Sequence, residues 1–167
     1  MLSENKNSTF RALEIAIPII ITLGLVGTAA ISLASSKYQM RDSIRKADLA
    51  QIGRVMVIKD CFVPKSGAGE YDILDIIGEL KTKHPEYVKA LPKVIGDPQL
   101  GEKNKSYYKY IVASDGSHCV LYTSLENKND EVTLPNIQRP TMGGKTGVFK
   151  SVVNGPNGTR KYYQISK

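Results

Sequence analysis

Apolar and polar positions divide the chain into three regimes. Residues 1–9 are polar, with Ser, Asn and Lys and no apolar periodicity, as in a leader or a tail without fixed structure. Ala12 to Ala34 is an almost unbroken apolar run in which Glu14 is the sole ionisable residue. At about 1.5 Å per residue, a helix of that length matches the core of a bilayer. From Lys37 to Asp60, charged and apolar residues alternate at helical spacing without a proline. Leu49, Ile52, Val55 and Met56 share one side with the stem of Lys59, and Arg41, Asp42, Arg45, Lys46 and Asp48 lie elsewhere. The pattern predicts a helix that is half anchor and half core-forming lid.

Beyond Asp60 the periods shorten. Pro64 to Gly69 holds Pro, Ser and two glycines, which predicts a chain reversal. Ile73, Leu74, Ile76, Ile77 and Leu80 predict a second helix over about Tyr71 to Lys83, closed by Pro85, with one more turn over Glu86 to Leu91. Lys93 to Lys105 reads as a loop. Tyr107 to Ala113 and Cys119 to Leu125 then read as a hairpin around a two-residue turn at Asp115-Gly116. A second hairpin pairs Val148 to Val153 with Arg160 to Ile165 across Asn154-Gly155-Pro156-Asn157-Gly158. The predicted class is α+β, one long N-terminal helix packed on a small antiparallel sheet. Its domains are 1–9 as leader or tail, 10–36 as transmembrane and assembly helix, and 37–167 as an extracytoplasmic α+β domain.

At 167 residues the chain has room for one core of ordinary size beside such an anchor. A cleaved secretory signal is the alternative for the apolar run, and Ala34-Ser35-Ser36 imitates its cleavage site; the length of the run and its acid favour an anchor. The formal charge of +7 belongs entirely to residues 37–167, because Lys6 and Arg11 cancel Glu4 and Glu14. Such a balance suits anionic partners, nucleic acid or lipid head groups, and equally describes a well-solvated surface. Cys61 and Cys119 are the two cysteines; they read either as a disulfide or as two buried thiols.

No catalytic constellation emerges, so the chain does not read as an enzyme. His84 precedes a proline and His118 adjoins Cys119, neither near an obvious acid partner. Two Cys and two His at these separations lack zinc-site spacing, and no other metal or cofactor is indicated. Gly143-Gly144-Lys145-Thr146 imitates the end of a phosphate-binding loop, but no glycine stands where the motif's first one belongs.

Three segments together resemble the type IV pilins and the pseudopilins of type II secretion. Phe10-Arg11-Ala12-Leu13-Glu14 resembles the family's phenylalanine after the prepilin cut with glutamate at the fifth mature position. Arg41 to Ile52 is similar to the segment where such helices leave the membrane. Pro85-Glu86-Tyr87 and Leu91-Pro92-Lys93, before a tyrosine-rich hairpin ending Ser124-Leu125-Glu126-Asn127, follow an order found in pseudopilin-like domains. The likeness covers roughly Phe10 to Asp130 and fades after Thr133.

The resemblance implies a structural subunit of a type IV pilus-like extracellular filament, assembled through its hydrophobic N-terminal helix. It implies cleavage at the Thr9-Phe10 junction, with threonine where the family has glycine. It also implies that Glu14 of one subunit neutralises the Phe10 amino group of its neighbour and so sets register; alternatively Glu14 reaches water beside Arg11. Implied partners are further copies of the chain, the cytoplasmic membrane before assembly, an assembly machine and a prepilin peptidase. The rival functions are a pseudopilin of secretion or DNA uptake, with DNA as partner, and a membrane-anchored extracytoplasmic binding module. Some pseudopilins hold calcium near the carboxyl terminus, but Thr133 to Lys167 has no Asp or Glu. The positive-inside rule alone favours the opposite topology, since Lys37, Arg41, Arg45 and Lys46 follow the apolar run.

Overall fold

The computed structural model describes the backbone of residues 5–58 and 60–167 and the side chains of residues 16–24, 36–57 and 60–167. The chain divides into two compact units, Met1–Lys37 and Tyr38–Lys167. Helix α1 covers Asn5–Gly53. In the first unit, every residue of the described run 16–24 is exposed. Pro18 lies inside the helix and has no N–H to donate to the preceding turn. The Thr22 hydroxyl donates to the Pro18 carbonyl at 2.7 Å.

In the second unit, α1 ends at Gly53 and a π-helical turn, Arg54–Ile58, follows. A Cβ at Gly53 would meet the Ile165 side chain at 3.0 Å. Glycine therefore lets the helix approach the sheet closely at this point. Leu49, Ile52, Val55 and Met56 are all buried there, the face that the helical spacing selects.

Strand β1 is Gly69–Asp72 and helix α2 is Ile73–Lys83. Asp72 caps α2 by accepting from the Leu74 amide at 3.1 Å. A 3₁₀ turn over Pro85–Ala90 leads to β2 (Lys109–Val112), β3 (Cys119–Ser124), β4 (Gly147–Lys150) and β5 (Lys161–Ser166). These form one five-stranded sheet in the order β1-β2-β3-β5-β4, and every pairing is antiparallel. The β2–β3 turn is wider than two residues. The Gly116 amide donates to the Ala113 carbonyl, and Gly116 takes φ +67°, where a side chain would be strained. One core joins α1 (Leu49, Ile52), α2 (Ile73, Leu80) and the sheet (Tyr110, Leu121).

Two expectations are corrected. The α+β class and the antiparallel sheet stand, but the long N-terminal helix with a transmembrane half does not. The longest helical run with described side chains is 22 residues, 36–57. It carries Lys37, Arg41, Asp42, Arg45, Lys46, Asp48 and Arg54, each costing about 2.5–3.5 kcal/mol near a bilayer centre for Lys, Arg or Asp. Among the described residues, no helix is long and apolar enough to cross a membrane. The expected single-pass location in the cytoplasmic membrane, ahead of an extracellular filament, loses its support with that helix.

Candidate functional site

The densest polar constellation of the second unit surrounds Arg45, whose side chain is wholly buried. One turn of α1 brings Asp42 and Arg45 to the same face, where Nη1 donates to Asp42 Oδ1 at 2.7 Å. The loop before β2 supplies Asp97, which accepts from Nε and Nη2 at 2.7 Å each. This forked geometry suits a planar guanidinium. Glu126, just past β3, lies 2.6 Å from Nη1 and also accepts from Arg41. Asn157, in the β4–β5 loop, donates to Asp97 and to the Ser124 carbonyl at 3.0 Å.

The carboxylates are saturated from their other sides. Asp42 accepts from the amides of Glu126 and Asn127, and Asp97 from those of Gln99 and Leu100. Among the described residues, no buried side-chain nitrogen or oxygen lacks a partner. Burial alone would raise the Asp97 pKa, but hydrogen bonds from Arg45, Asn157 and the two amides outweigh it and hold the carboxyl at about 2. For Glu126, burial is likewise opposed and outweighed by Arg41 and Arg45, so its carboxyl is held below its ordinary value. Arg45 is raised despite a large burial penalty, by its bonds to Asp97, Glu126 and Asp42. Asp48 moves the other way: burial raises it, only partly offset by the Tyr108 hydroxyl at 2.9 Å.

A carboxylate held ionised and filled with donors is a poor general acid or base at neutral pH. The cluster is instead a latch joining α1 to three loops that are distant in sequence. Lys46 adds a pair with Asp130 at 2.5 Å. Asp97 stabilises the fold on the order of 2 kcal/mol, because its carboxyl is held at about 2 in the folded protein. Its folded pKa is depressed, so that contribution is complete above the unfolded value of about 4 and disappears as pH falls towards about 2. Thermal midpoints should therefore be steady from neutral pH to about 5 and drop below about 4. Asp97→Asn should lower the neutral midpoint and flatten this acid slope; an unchanged slope would refute the assignment.

Cys61 and Cys119 form a disulfide with Cα atoms 5.7 Å apart, joining the segment after the π turn to the start of β3. Beside it, His84 stacks on Tyr87 at 5.5 Å and meets Glu86 at 3.2 Å. His118 is exposed near Gly143. Thr9, Phe10, Glu14 and Lys59 lie outside the residues whose side chains are described. The structure therefore brings the two cysteines together and leaves the register and processing residues unaddressed. The helical spacing put Asp42 and Arg45 away from the core, yet they are 3 % and 0 % exposed. A helical pair of opposite charges three residues apart was the one available signal, and it is equally common on solvated faces.

Comparisons with protein families, curated proteins and solved structures find no match to this chain.

Proposed function

We propose that the protein is the subunit of a homopolymer, resembling a type IV pilin, in which α1 of each copy is covered by α1 of its neighbours. The observation that carries this reading is the surface of residues 16–24. Ile17, Ile19, Ile20, Ile21 and Leu23 are 50–69 % exposed. Successive helical positions are about 100° apart, so Ile19, Ile20 and Ile21 face nearly all sides. A helix apolar all round has no side suited to water and is found buried. Burial is worth about 25 cal/mol per Å² of apolar surface, and identical neighbours offer matching surface. In the second unit, Met40 and Ile44, one turn apart, are 61 % and 40 % exposed and offer a separate apolar contact. The Tyr38–Lys167 unit has its own core, disulfide and latch, so its fold does not depend on what covers residues 16–24. The resemblance adds the register pair, Glu14 against the Phe10 amino group of a neighbour.

Assembly of the native full-length chain, followed by sedimentation and electron microscopy, tests the reading. Wild type should pellet as regular polymers, and Ile20→Lys should remain in the supernatant. The variant should melt within about 0.5 kcal/mol of wild type in its second unit, as expected of a substitution outside any core. A wild type that stays monomeric, or an Ile20→Lys protein that polymerises equally well, would overturn it.

A further inference from the structure

A cleft of about 620 Å³ opens beside the β4–β5 hairpin, lined by Lys128, Lys150, Arg160 and Lys161 with Asn154 and Thr159. No acidic side chain lines it among the described residues. Lys150 and Lys161 are direct cross-strand partners, an arrangement in which like charges destabilise a sheet. The Lys161 ammonium donates to the Asp130 main-chain carbonyl at 2.5 Å, a neutral acceptor that leaves its charge uncompensated. The Asp130 carboxylate is engaged by Lys46. Lys128, Lys150 and Arg160 are exposed, and among the described residues their side chains have no hydrogen bond or ion pair.

The frame beneath these cations is held firmly. Buried Thr159 donates from its hydroxyl to the Leu125 carbonyl and accepts there from the Lys161 amide. The Arg160 carbonyl accepts from the Ser151 amide at 2.8 Å. Three cations on a fixed hairpin, two of them opposed across a ladder, with Lys128 beside them, cost stability unless an anion lies between them. We propose that this cleft binds an anion presenting two or more phosphate groups, either a soluble polyphosphate or the head groups of an anionic lipid surface. Its volume lies in the range of small-molecule sites, larger than a single phosphate needs. Arginine supplies a planar fork to phosphate oxygens, and lysine a point charge.

Calorimetric titration of the full chain with pyrophosphate, together with flotation on phosphatidylglycerol and phosphatidylcholine vesicles, tests the proposal. At least one of the two phosphate probes should bind saturably and weaken steeply with salt. Lys150→Gln and Arg160→Gln should each reduce that binding about tenfold, a loss typical of one charged contact. Lys93→Gln, which removes the same charge from an exposed position outside the cleft lining, should leave binding unchanged. Without ligand, Lys150→Gln should raise the melting midpoint, because the cross-strand repulsion is gone. Pyrophosphate binding alone assigns a soluble anion; capture by phosphatidylglycerol alone assigns a head group. Absence of saturable binding to both, or equal weakening by Lys93→Gln, would overturn the proposal. The titration needs no assembly, so its failure is distinguishable from failure of the polymer reading.

Discussion

Arg45→Met should destabilise the Tyr38–Lys167 unit by roughly 3–5 kcal/mol, the usual penalty for removing one partner from a buried ionic cluster. The size follows from what remains. Asp42, Asp97 and Glu126 converge on the vacated volume, and among the described residues only Glu126 of the three retains a cation, Arg41. Methionine approximates the bulk of the arginine stem, so little of the effect is cavity formation. The cost is that of buried carboxylates without a counter-charge. The dependence on pH should reverse as well. In wild type the Asp97 carboxyl sits near 2 and stability declines on acidification. In the variant, Asp97 and Glu126 lose the Arg45 bonds that hold them down while burial still raises them. Their pKa values should rise above the unfolded ones, so that stability increases as protons bind. Urea melts at neutral pH and at pH about 4 measure both effects. A loss under about 1 kcal/mol, or an acid slope of the wild-type sign, would show that the cluster does not latch the fold.

Removing the disulfide should have an effect of similar size for a different reason. The sequence separation of Cys61 and Cys119 is 58, and the chain-entropy relation for a loop of that length gives about 4 kcal/mol. The effect operates on the unfolded chain, which regains the freedom that the bridge denies it. Cys61→Ala with Cys119→Ala should therefore lower the denaturant midpoint while leaving the native sheet register intact. Reduction of wild type should reproduce most of the shift. Both half-cystines are buried, at 7 % and 0 % exposure, so the alanines add a small packing loss. A combined loss under about 1 kcal/mol would mean that the unfolded chain is already compact around these segments.

Much of the local structure was legible because it is written in short periods. The apolar spacing from Ile73 to Leu80 marks α2, and the tyrosine-rich composition around Tyr110, with the return from Cys119 beyond Asp115-Gly116, marks two paired strands. β1 was not legible: four residues after a Pro- and Gly-rich reversal are too few to display a period. Its last residue, Asp72, serves both as strand end and as helix cap. The turn at Asp115-Gly116 has the composition of a tight two-residue hairpin. The pairing of Val112 with Cys119 leaves more residues outside the ladder.

The amino-acid sequence by itself determined α2, the two hairpins β2–β3 and β4–β5, the apolar face of α1 in the second unit, and the excess of cations after residue 36. These depend on neighbours a few positions apart, where side-chain direction follows from backbone geometry alone. Only the tertiary structure decided that Arg45 is interior, because its partners Asp97 and Asn157 lie 52 and 112 residues further on. It alone decided the sheet order β1-β2-β3-β5-β4 and the register that sets Lys150 opposite Lys161. A charged side chain is buried or solvated according to what the rest of the chain folds against it, and no local period carries that information.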